Sequence, residues 1–220
     1  MINKIKAYSQ TMNTPAFKKK FLVMAVGVFF MGFFLSFLIN CNLGTDPCTF
    51  MNVTISGRLG ILFGTWQLAL NLVLLLLVIW RNRKLIGPGT VANMVCIGYI
   101  ADFFRFVWSK VLPDTVFTDT VPRIIIFIVT LAGFIIACSF YMNADMGVAP
   151  YDAISVIISD QLLPNVPFKY VRIIFDVSVV IIGCLAGGKP NAGIIIMSFA
   201  LGPTISFIGN MLKKTIFKDL

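Results

Sequence analysis

The chain has 220 residues, 58% hydrophobic and only 12% charged, with a formal charge of +9 and no histidine. A soluble domain carries about 25% charged residues, so this chain has too little polar surface to face water, and the bilayer is the solvent its composition fits. The basic residues form short clusters between apolar runs, which is the positive-inside pattern and argues against a nucleic-acid partner.

Residues 1–20 read as a basic N-terminal segment that includes Lys4, Lys6, Lys18, Lys19 and Lys20. Six apolar runs follow, at 21–40, 61–80, 85–104, 124–142, 166–187 and 193–212. Each is near the ~20 residues needed to cross a ~30 Å hydrocarbon core. The first run is too long for a signal peptide and lacks a small-residue cleavage site. Arg81, Arg83 and Lys84 follow the second run, and Lys213, Lys214 and Lys218 lie in the tail, 213–220. Six crossings with both termini in the cytoplasm put all these clusters inside. Segment 143–164 falls inside too, although it carries Asp145, Asp152 and Asp160 and no Lys or Arg; acidic residues count little in this rule.

The first run is followed by "NLGTDPCTF" (42–50), and "DMGVAPYDA" (145–153) stands in the matching place after the fourth. At an offset of 103, Phe37 meets Phe140, Asn40 meets Asn143, Gly44 meets Gly147 and Pro47 meets Pro150. At 105, Gln67 and Asn71 meet Arg172 and Asp176; at 104, Gly89 and Gly98 meet Gly193 and Gly202. Residues 21–108 and 124–212 therefore read as two three-span repeats. An odd number of crossings per repeat inverts the second copy relative to the first. The expected fold is an all-α polytopic membrane protein of two inverted three-helix repeats, each with a short half-helix.

Those half-helices are expected near 47–58 and 150–160. Pro47 and Pro150 suit a first helical position, Asp46 can cap, and Asp152 favours the positive helix end. Gly44 and Gly147 permit a sharp turn beforehand. About eleven residues span ~17 Å, half a membrane, so these helices either re-enter the bilayer or lie on it.

The Leu/Met-Gly-x-x-Pro pattern, followed by a helix and a Gly-x₈-Gly span, resembles the YczE/YyaS/YitT family of bacterial membrane proteins. The likeness covers nearly the whole chain after Phe21. In that family an aromatic residue and an Asp often follow the proline. The second copy has Tyr151 and Asp152, whereas the first departs with Cys48 and Thr49. The resemblance implies a multi-pass protein of the bacterial cell membrane, transport-related, with no particular substrate.

Charges in hydrocarbon cost about 2.5–3.5 kcal/mol each on insertion scales, so those inside the runs mark candidate sites. Arg172 and Asp176 are one helical turn apart, and Gln67 and Asn71 occupy the matching turn of the first repeat. These four, with Gly44, Asp46, Pro47, Gly147, Pro150 and Asp152, are the candidate substrate- or ion-binding set. Asp102 and Arg105 read as an interfacial pair, and the five cysteines as small packing residues. Enzyme motifs and metal-ligand spacings are absent from the sequence, so neither catalysis nor a cofactor is expected. The expected function is a small secondary transporter or permease with a solute or ion site between the repeats. The alternative is a non-transporting accessory protein that supports assembly or regulation of a partner. Glycine-lined faces also permit a homodimer.

Overall fold

The computed structural model describes residues 14–215, and all its regular structure is helical. Helix α1 (Pro15–Cys41) opens with Thr14 Oγ1 accepting the Phe17 N–H and closes on Asn42 in the left-handed region. Helix α2 (Pro47–Leu59) is capped by Asp46, whose Oδ1 accepts the Thr49 N–H at 2.9 Å, and it stops at Gly60 with φ +67°. Helix α3 (Phe63–Arg81) leads through a 3-10 turn (Arg83–Leu85) into α4 (Pro88–Val111). A single turn, α5 (Thr115–Thr118), precedes α6 (Thr120–Asn143). Helix α7 (Pro150–Ile157) continues as a π turn (Ile158–Leu162), and α8 (Phe168–Leu185) and α9 (Ala192–Thr215) complete the chain.

The expected runs map onto these helices with shifted ends. Helix α1 starts before residue 21 and takes in Lys18, Lys19 and Lys20, because Thr14 and Pro15 supply a start signal that hydropathy does not register. Helix α4 starts later than residue 85, since Pro88 suits a first turn and the 3-10 turn occupies the residues before it. Lys4, Lys6 and Lys218 lie outside the described residues.

Among the described residues four helices, α1, α3, α4 and α6, are long and apolar enough to cross a membrane. Helix α8 has 18 residues but carries Lys169, Arg172 and Asp176. The surface is strongly apolar: Leu185 is 79% exposed and Trp80 76%. Water would expel such a surface, whereas lipid accommodates it.

Helices α1 and α6 form the central pair, with α4 against α1. Close approach depends on missing side chains: a Cβ on Gly27 of α1 would lie 2.7 Å from the Tyr141 backbone nitrogen of α6. Met24, Val28, Leu35 and Leu38 of α1 fill this core with Phe134 and Cys138 of α6 and Ile97 and Ala101 of α4. The short helices pack crosswise. Helix α2 lies on α8 of the other half, and α7 lies on α3. All five cysteines are free thiols.

Polar contacts sort the connections into two ends. At one end Lys20 meets Asp145 at 3.9 Å, Gln161 donates to the Arg81 carbonyl, and Gly89 donates to the Met146 carbonyl at 2.7 Å. At the other, Arg123 donates to the carbonyls of Cys41 and Asn42, and Arg58 donates to that of Ala186. Arg58 and Arg123 thus satisfy helix C-termini, a structural use that a count of loop charges does not reveal.

Candidate functional site

The C-terminal ends of the two short helices lie far apart. Arg58, in the last turn of α2, reaches the end of α8, and Gln161, after α7, reaches the end of α3. Helix α3 itself separates these places, since 19 residues at 1.5 Å each span ~28 Å. The N-terminal ends meet in between: Asp46, which caps α2, lies within electrostatic range of Asp152 in the first turn of α7 and of Asp176 on α8.

One cation organises this meeting point. Arg172 Nε donates to Asp176 Oδ2 at 3.0 Å, and its Nη1 donates to Asp152 Oδ1 at 2.6 Å and to Ser155 Oγ at 3.3 Å. The Tyr151 hydroxyl donates to Asp176 Oδ1 at 2.7 Å, and the guanidinium carbon lies 5.3 Å from the centre of the Tyr151 ring. Asp176 therefore has a donor on each oxygen, as a buried carboxylate requires. The Asp176 side chain is 8% exposed and that of Asp152 38%, so the network runs from the interior to an open edge. Tyr151 shares an apolar cluster with Met51 of α2 and Val179 of α8, and Cys48 and Ile55 of α2, Leu70 and Leu74 of α3 and Phe175 of α8 pack against it.

The glycine turns are anchored by close backbone contact. Gly147, at φ +105°, packs on Gly87, and the adjacent Val148 N–H donates to the Leu85 carbonyl at 2.9 Å. A side chain there would meet both strain and steric conflict. Gly44 occupies the matching position against Gly193, where an added Cβ would lie 2.7 Å from the Gly193 Cα. Pro47 and Pro150 both take the first helical position, and both are buried.

Of the candidate residues, Arg172, Asp176 and Asp152 are joined directly, and Asp46 lies within electrostatic reach. Gln67 and Asn71 are buried on α3, but neither side chain joins the network by a hydrogen bond, and Gln67 Oε1 has no partner. Tyr151 and Ser155 were absent from the candidate set. Tyr151 had a signal, the aromatic-Asp pair after the proline. The Ser155 contact spans 17 residues and had none.

Asp102 is more than an interfacial partner of Arg105. Its Oδ2 accepts the Gly64 N–H at 2.6 Å, so a carboxylate on α4 caps the first turn of α3. Arg105 supports it at 3.4 Å and also donates to Asn40 Oδ1.

Comparison with known proteins finds relatives of the chain. The chain is 22% identical over 178 residues to an uncharacterized protein of Haemophilus influenzae, covering 80% of this chain and 77% of that one. It is 24% identical over 184 residues to the uncharacterized membrane protein YczE of Bacillus subtilis (82% and 81% covered), and 22% identical over 146 residues to YyaS of the same organism (64% and 69%). The resemblance drawn from the Gly–Pro segments therefore holds. No solved structure matches the chain significantly. The family of unknown function DUF6198 matches residues 18–210, and the chain belongs to that family.

Proposed function

We propose that the protein is a small secondary transporter of the cell membrane, built as six spans in two inverted repeats, with both termini cytoplasmic. In this reading α1, α3 and α4 form one repeat, α6, α8 and α9 form the other, and α2 and α7 are re-entrant half-helices. Irregular backbone at membrane depth is tolerated only inside protein or beside a wet cavity. Both Pro-initiated helices are buried at their first residues, which fits that requirement. Crosswise packing of α2 on α8 and of α7 on α3 is what a two-fold relation between the halves produces.

The observation that carries the transport reading is the partly buried Arg172–Asp152–Asp176–Tyr151 network at the meeting of two half-helix N-termini. Discontinuous helices at a repeat interface, with their positive ends toward shared space, are how secondary transporters hold solutes and coupling ions. A static bundle has no need of a guanidinium and two carboxylates there, because apolar packing serves stability as well or better.

The test is electrophysiology on solid-supported membranes with purified protein in proteoliposomes, scanning amino acids, sugars and small organic ions. A transient charge movement in wild type that is lost in folded Asp176→Asn supports the proposal. Silence across the scan, with the protein verified as folded and inserted, opposes it.

A further inference from the structure

We propose that Asn52, Gln67 and Asn71, beside the Asp46–Asp152–Asp176 cluster, form a binding site for one monovalent cation of the alkali-metal or ammonium type. The inference rests on the two-repeat reading, but not on transport.

Hydrogen bonding gives the first argument. Asn52 is 1% exposed, Asn71 3% and Gln67 9%. Asn52 Oδ1 and Gln67 Oε1 are buried with no partner, and among the described residues the Asn71 side chain makes no hydrogen bond. Gln67 Oε1 faces the bare backbone of Gly98, which offers it no donor. Buried carbonyl oxygens without donors are costly, and the two of Asn52 and Gln67 leave a place for a group that supplies positive charge.

The two-repeat reading gives each of them a counterpart. At the offset of 103, Asn52 corresponds to Ser155, which touches Arg172; at 105, Gln67 and Asn71 correspond to Arg172 and Asp176. Three amides thus occupy in the first repeat the positions that Ser155, Arg172 and Asp176 fill in the second. Asn52 also bonds through Nδ2 to Cys48 Sγ at 3.3 Å, and Cys48 lies within electrostatic range of Asp46, Asp152, Asp176 and Arg172. Asn52 therefore borders the charged set, and Gln67 and Asn71 lie on the same helix as Leu70 and Leu74, which pack in the Tyr151 cluster.

Charge balance suits a single positive charge. Asp46, Asp152 and Asp176 are offset by Arg172 and by two helix N-termini of about half a charge each, which leaves about one negative charge. Arg172 is already paired with two carboxylates, which offset its charge toward an anion. Among the described residues no group of three or more His, Cys, Asp or Glu is disposed to hold a metal ion, so the donors suit a monovalent ion held by amide oxygens rather than a divalent one held by carboxylates.

The experiment is thermal unfolding of the purified full chain in detergent, in sodium, potassium or ammonium chloride against N-methyl-D-glucamine chloride at equal ionic strength. One or more of the three small cations should raise Tm saturably by several degrees. Asn52→Leu, nearly isosteric, should abolish the rise with little change of Tm in N-methyl-D-glucamine, because losing the weak bond to Cys48 Sγ is offset by removing an unpartnered carbonyl oxygen. Gln67→Glu should lower the concentration needed for half the rise. Equal Tm in all four salts, or a rise retained in Asn52→Leu, overturns the proposal. Solute flux without cation-dependent stabilisation would remove this site alone, and stabilisation without any flux would remove transport alone.

Discussion

Tyr151 and Asp176 meet at 2.7 Å, hydroxyl to carboxylate, and tie the first turn of α7 to the middle of α8. A hydrogen bond to a charged acceptor contributes about 1.5–3 kcal/mol. Tyr151→Phe keeps the ring against Phe175 and removes only that bond. Its Tm should fall by an amount consistent with that range, and in an Asp176→Asn background the same change should cost much less. Equal losses in the two backgrounds would mean that the pair is not coupled.

Arg172 is the member whose loss is least tolerated. Arg172→Met leaves two carboxylates without their cation, and breaking a buried pair costs about 3–5 kcal/mol. Asp152→Asn should be far milder, about 1 kcal/mol or less, because that side chain is 38% exposed and water screens the pair. Arg172→Met combined with Asp176→Asn should be more stable than Arg172→Met alone. Thermal unfolding of the three variants checks the order.

Capping of α3 by Asp102 predicts a separate, purely structural effect. Asp102→Ala should cost about 0.5–2 kcal/mol, the usual range for a lost N-cap. Asp102→Asn keeps an acceptor for the Gly64 N–H and should recover much of that stability. Solute flux, normalised to folded protein, should be the same in both variants.

Two glycines should respond oppositely to alanine. Gly147 has φ +105° and an added Cβ would press on Gly87, so Gly147→Ala should impair folded yield. Gly57 is helical with open space around it, and Gly57→Ala should stabilise by about 0.4–1 kcal/mol. Folded yield and Tm from parallel preparations decide the comparison.

Much of this was legible in the sequence for physical reasons. Gly44/Gly147 and Pro47/Pro150 mark the turns because backbone constraints write directly into residue type. Arg172 and Asp176 stood out because charge inside an apolar run is costly. The reach of Arg172 to Asp152 and the Asp102 cap were not legible, since each joins separate elements, 20 and 38 residues apart. Helix starts at Pro15 and Pro88 were misplaced because hydropathy marks where lipid begins, while caps and proline mark where the helix begins.

The most direct test of the central claim is side-chain accessibility at Asn71. In a background with the five native cysteines replaced, a single Asn71→Cys is exposed to small membrane-impermeant thiol reagents, added outside intact cells or to inverted vesicles. A solute path between the repeats predicts labelling from at least one side in the folded protein. Labelling from neither side, appearing only after denaturation, would mean a sealed core and contradict the account.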